Sequence, residues 1–292
     1  MGPKLTRILW LLLATIPISY RSCDAALSSG AGLFSSNNPV PLRPKLLAKE
    51  IFIQQQNGRP PASGFVTYIH PTKPILMHCS GWEDYSDGYD DYAVSISADN
   101  GKTWTKPEVR WKGSVVPEGR MRYAEPAACF DADKGKLIVL IDHTLYPKDK
   151  LNVDTDYGLE LNIYDTRRHK WTERRELKFP GQRTPAMSFS FPLKTARGRL
   201  LFPGMRKTVD ASGKAVHYQK TWAPLDEVAT VIGEYDAHGE LLWRLGQPLN
   251  IAPELSSRGL DENTSSNCAT AASPPSAAAT TAHSRTSPVT SG

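Results

Sequence analysis

The chain has 292 residues, 40% of them apolar and 22% charged, with a net charge of +5. That composition suits one large globular domain or two small ones with a sizeable core. The basic surplus is scattered, and its short clusters at Arg167 to Lys170 and at Arg174 and Arg175, flanking Trp171, read as a solvated hairpin, so no nucleic-acid partner is expected.

Lys4 and Arg7 precede the apolar run ILWLLLATIPI (Ile8 to Ile18) and the small residues of SCDAALSSG. The order basic, apolar, small is that of a secretory signal peptide, and the run is too short to span a bilayer. Residues 1–26 are therefore expected to be a signal that leaves a secreted chain with no stable membrane anchor. Residues 27–48 read as a lead-in, 49–264 as the folded body and 265–292 as a low-complexity tail. Of the four Cys, Cys79 and Cys129 lie in the body, where they can pair or remain free buried thiols; their spacing fits no metal motif, and no metal or cofactor is expected. DADKGK (Asp131 to Lys136) lacks the carboxylates of a calcium loop and reads as a turn.

Along the body, runs rich in β-branched and aromatic residues recur: GFVTYIH, YAVSISA, KLIVLID, LELNIYD, RLLFPGM, ATVIGEY and ELLWRL. Gly, Pro, Asp and Asn separate them and no long 3.6-residue period intervenes, which predicts an all-β fold. Segments starting at Pro61, Glu125 and Thr184 share one order of strand, basic turn and strand. Each is followed by a hairpin with a Trp at or past its turn: Trp104, Trp171 and Trp243. Four strands per repeat are the content of one propeller blade.

SADNGKTW (Ser97 to Trp104) matches the Asp-box pattern S-x-D-x-G-x-T-W at Ser97, Asp99, Gly101, Thr103 and Trp104. These are structural roles: Asp99 accepts turn N–H groups, Gly101 takes a positive φ and Trp104 packs. With the strand sequences EPA at Glu125 and GKLIVL, the motif resembles the sialidase (neuraminidase) superfamily over roughly Glu50 to Thr264. The resemblance implies a six-bladed β-propeller, of which this chain holds about three blades and the start of a fourth, and a glycosidase acting on sialic-acid-type or other acidic glycans. In that family an Arg triad holds the substrate carboxylate, a Tyr paired with a Glu is the nucleophile and an Asp is the acid/base. Arg59 in GRPP stands where the family has Arg-Ile-Pro. Asp87, among Asp84, Asp90 and Asp91 in GWEDYSDGYDD, fits the acid/base position, and Glu262 in LDENT fits the Glu that opens the fourth blade. Glu125 reads as structural or substrate-lining. Arg206 stands one blade early and reads as facing either the central cleft or the surface.

The later Arg residues and the Tyr are missing, so this chain is expected to be inactive. Beyond Thr264, 22 of 28 residues are Ala, Ser, Thr or Pro. Read one base out of register, the codons from Cys268 onward permit RDGR, as the family's fourth blade requires, and a frameshift near codon 264 is expected. A non-catalytic glycan-binding or scaffold propeller, and a glycosidase or lyase of other specificity, are the alternatives.

Overall fold

The computed structural model describes residues 53–55, 57–85, 87–187, 191–261 and 264, and all of its regular elements are strands. Glu262, Cys23, Cys268, the expected signal at residues 1–26 and residues 265–292 lie outside the described residues. A first sheet carries β1 (Pro61–Tyr68), β2 (Leu76–Glu83), β3 (Tyr89–Ser97) and β4 (Glu108–Trp111) in sequence order. A second carries β5 (Ser114–Val116), β6 (Gly119–Asp131), β7 (Lys136–Pro147), β8 (Tyr157–Asp165) and β9 (Lys170–Leu177). The third has β10 (Leu193–Lys194), β11 (Leu200–Phe202), β14 (Val231–Tyr235) and β15 (Leu241–Leu245); β12 (Met205–Lys207) and β13 (Asp226–Val228) form a separate hairpin inserted between β11 and β14. All the strand pairings are antiparallel.

The second sheet is buried on both faces, which explains why KLIVLID is continuously apolar rather than alternating. Side chains alternate across a strand. Leu137, Val139 and Ile141 of β7 therefore pack on Met77, Cys79, Tyr92 and Trp111 of the first sheet. Ile138 and Leu140 point the other way, into a layer with Leu200, Phe202 and Val231 of the third sheet. Each fully buried aliphatic side chain contributes about 1.5–3 kcal/mol. Cys79 and Cys129 face different layers and are free thiols; burial raises both pKa values, that of Cys129 to about 12.

The repeats differ from the expectation in two places. The second begins at Gly119, not Glu125, because β6 runs on to pair with the far end of β7, and Glu125 falls on a bulge between Ala124 and Ala127. In the third, among the described residues, TPAM makes a single bridge, Ala186 to Met205, and β11 stops at Pro203. Proline has no N–H to give to a ladder.

The predicted Asp box forms a closed ring of hydrogen bonds after β3. The Gly101 amide donates to Ser97 Oγ at 2.7 Å, and Thr103 donates to Asp99 through its amide (2.9 Å) and its hydroxyl (2.7 Å). Trp104 Nε1 donates to the Gly101 carbonyl at 3.1 Å, and Gly101 has φ 83°. The Thr103 hydroxyl leads the donors that hold the Asp99 carboxyl down at about 2. Asp99→Ala is expected to lower Tm by about 3–6 °C at pH 7. Because the folded pKa lies below the ordinary 3.8, the Tm difference between the two proteins should persist above pH 4 and vanish as pH falls through about 2, which thermal scans across that range would read.

Candidate functional site

In antiparallel sheets of this order, successive connections emerge at alternate ends. One end carries the tight turns, among them Ala132 to Gly135, Thr166 to His169 and the Asp box. The other carries the longer excursions, residues 84–88, 148–156 and 203–230, and Arg59, Asp87 and Arg206 all lie at that end. Glu125, at the bulge of β6, is turned toward the same region. Loops held by a rigid scaffold are where binding and chemistry concentrate.

An ion network ties this end together. Arg59 pairs with Asp84 at 2.7 Å and with Asp90 at 3.2 Å. Arg120 holds Asp90 through both Nε (3.2 Å) and Nη2 (2.5 Å). Arg122, with 1% of its side chain exposed, donates to Asp84 (2.8 Å), to Asp149 (2.6 Å) and to the carbonyls of Gly88 and Tyr89 (both 3.1 Å). Its guanidinium lies over the rings of Tyr85 and Tyr146. Gly113 N–H donates to Asp91 at 3.0 Å.

Asp87 is treated differently from its neighbours. No arginine engages it among the described residues, it is exposed, and its backbone is left-handed with φ 56°. Tyr146 Oη donates to the Asp87 carbonyl at 2.6 Å, which fixes that turn against β7. Glu125 has φ 49°, again costly for a residue with a Cβ, and its amide donates to Tyr92 Oη at 3.3 Å. Burial, then the charges of Glu125, Asp87 and Glu83, push the phenol of Tyr89 up, so those groups surround one protonated hydroxyl.

Arg206 is half-buried beside Glu227, which accepts from its Nε at 2.6 Å across the β12–β13 pair. Arg183 pairs with Asp156, and Lys207 reaches the Thr155 carbonyl while lying 4.6 Å from the Tyr157 ring centroid. Burial lowers Lys207 to about 8. Burial also raises Asp142 to about 7 even though the Met187 amide donates to it at 3.2 Å, and raises Asp226 to about 7 with Asp261 adding to the effect. Carboxyls and an amine shifted toward neutrality beside protonated phenols can give and take protons near pH 7. Among the described residues no cluster of His, Cys, Asp and Glu is placed to hold a metal.

Sequence reasoning singled out Arg59, Asp87, Glu125 and Arg206 but missed Arg120, Arg122, Asp142, Lys207 and Asp226. A signal existed for three of them. Arg120 and Arg122 in GRMR share a face at period 2, and Asp142 continues the face of Ile138 and Leu140 into the core.

No family model matches the chain, and no curated protein sequence matches it. Among solved structures the chain is similar to an ulvan lyase from a new polysaccharide lyase family, with TM-score 0.38 and 13% identity over 59% of this chain and 40% of that one. That lyase bound to -[GlcA(1-4)Rha3S]- gives the same values. The chain is also similar to Trypanosoma rangeli sialidase in complex with sialic acid, with TM-score 0.41 and 14% identity over 65% of this chain and 30% of that one. The chain thus spans well under half the length of each of these proteins.

Proposed function

We propose that the chain is part of a secreted, glycan-active β-propeller of sialidase-like build that cleaves acidic glycans by acid/base chemistry at the long-loop end of its sheets. The three sheets stand as blades, Asp87 is the acid/base, Glu125 lines the substrate, and Glu262 supplies the carboxylate that opens the next blade. The observation that carries this reading is the contrast within one loop: Asp84, Asp90 and Asp91 are held by arginines or a backbone amide, while Asp87, engaged by no arginine among the described residues, stands exposed on a left-handed turn beside Tyr89 and Glu125. Left-handed backbone at non-glycine residues beside a rigid charged frame is characteristic of working sites.

The test is hydrolysis of a fluorogenic sialoside by a form carrying the in-frame continuation after codon 264, with Asp87→Asn and Glu262→Gln beside it. Turnover is expected in the restored protein and about 10²–10⁴-fold less in Asp87→Asn, and none in the 292-residue chain. A folded, restored protein without turnover on sialosides or on uronate-containing polysaccharides sinks the catalytic reading. One observation favours the non-catalytic alternative: Arg59, Arg120, Arg122 and Arg206 each already hold a carboxylate of the protein, leaving less guanidinium for a substrate anion.

A further inference from the structure

We propose that the long-loop end holds a site for a tetrahedral oxyanion, a sulfate or phosphate group, between Arg183, Lys214 and His217. The inference goes beyond the proposed reaction and needs no chemistry at Asp87. Arg183 stands on the link from β9 to β10, and Lys214 and His217 stand on the excursion between β12 and β13. With Asp154, Gly213 and Ala215 they line a cavity of about 210 Å³. That is below the range for whole small-molecule ligands, so the cavity takes one substituent group or a free ion rather than a sugar ring. It lies among loops, not on the outward face of the first or the third sheet.

The walls are firm, and their donors are only loosely committed. Lys214 closes a tight turn: its amide donates to Asp210 Oδ1 at 3.1 Å, the Asp210 amide donates to its carbonyl at 2.9 Å, and Val209 bridges to Ala215. Asp210 Oδ1 also accepts from the Ser212 amide and hydroxyl, and no ion pair ends on the Lys214 ammonium among the described residues. His217 Nδ1 meets the Thr221 carbonyl at 3.1 Å and Nε2 meets Asp154 at 3.0 Å; both partners are acceptors, so keeping both bonds takes the imidazolium. Arg183 holds Asp156 through Nη2, while its Nη1 is buried with no acceptor among the described residues. Asp156 and Asp154 leave 70% and 54% of their side chains exposed, and ion pairs so open to water hold weakly. An incoming oxyanion can therefore take the guanidinium from Asp156 and release that carboxylate to water. Like charges are gathered around the same residues. Burial, then the charge of Arg206, lowers Arg183, and burial together with Arg183 lowers Lys207 to about 8. Asp226 offsets part of this but is itself pushed up to about 7 by burial. A carboxylate is met in plane by one guanidinium fork; donors from two separate segments suit an anion with oxygens on every side.

The experiment is a ¹⁵N–¹H titration of the 292-residue chain with sodium sulfate, sodium phosphate and galactose sulfated on its primary hydroxyl, with sodium glucuronate as the planar comparison. Sodium chloride holds the ionic strength constant throughout. The Gly213, Lys214 and His217 amides should shift saturably, with a dissociation constant on the order of 1 mM. Arg183→Met should weaken binding roughly tenfold and Lys214→Gln roughly threefold. Asp156→Asn should tighten it roughly twofold to fivefold by removing the competing carboxylate, a gain that a merely structural Arg183–Asp156 pair would not produce. If Arg183→Met fails to fold, Lys214→Gln and Asp156→Asn, both at exposed loop positions, carry the test. Tighter binding of the sugar ester than of the inorganic ions marks a ligand-borne group; the reverse marks a free ion as the occupant. No saturable shift beyond that of chloride, equal binding of glucuronate, or unchanged or weaker binding in Asp156→Asn overturns the proposal. None of these outcomes is read from turnover, so failure of the proposed reaction leaves them intact.

Discussion

Arg122→Met is expected to destabilise the protein by about 3–5 kcal/mol, since removing one member of a buried ion network strands the rest. The guanidinium of Arg122 is sealed from solvent and organises five acceptor groups: Asp84, Asp149, the Gly88 and Tyr89 carbonyls and, at 3.9 Å, Asp90. Methionine fills much of the space between Tyr85 and Tyr146 but donates nothing. Asp149 and Asp84 are partly exposed and can regain water, which keeps the loss toward the lower figure. Asp90, with 2% of its side chain exposed, retains Arg59 and Arg120. Urea unfolding should show a lower midpoint at an unchanged slope. A change below about 1 kcal/mol would mean that the network is not closed in solution. Because Arg122 grips both carbonyls of the turn that follows Asp87, the variant should also loosen the loop on which the proposed acid/base stands.

Stability is expected to fall as pH rises from about 4 to 7, the reverse of ordinary acid denaturation. Asp142 and Asp226 both move from 3.8 to about 7 in the fold, chiefly by burial. Below pH 4 each is protonated whether folded or not and contributes no pH dependence. Between the two values the folded protein keeps protons that the unfolded chain releases, so each added pH unit costs up to about 1.4 kcal/mol per group. Above 7 the loss is complete. His78 acts oppositely: lowered from 6.5 to about 4, it makes the fold gain as pH rises across that interval, and this offsets part of one carboxylate. Asp226→Asn should therefore stabilise the protein at pH 8 and flatten the profile, and Asp142→Asn should do so while still accepting from the Met187 amide. Chemical denaturation at pH 5, 6, 7 and 8 distinguishes this; a profile that rises with pH and is unaffected by either variant contradicts the assignment.

Local signals were enough for the β architecture and for the Asp box. Alternating and continuous apolar runs separated by Gly, Pro and Asp specify strands and turns through neighbours in sequence, and SADNGKTW closes its hydrogen bonds within eight consecutive residues. Asp87 and Arg59 were singled out by the family resemblance rather than by short-range logic; both lie at the long-loop end of the sheets. Three further matters depended on the tertiary structure. The long pairing of β6 with β7 carries Arg120 and Arg122 over the loop at residues 84–91, some 30 residues away, which no periodicity could disclose. Burial in the fold moved Asp142 and Asp226 toward neutrality; the period of β7 puts Asp142 on the core face, but the extent of its burial, like that of Asp226, is set by the packing around it. Arg206 could face cleft or surface on sequence grounds; the inserted β12–β13 pair placed it against Glu227. A residue's partners within a turn are set by the chain itself, whereas its charge state and long-range partners are set by what the folded sheets exclude from water.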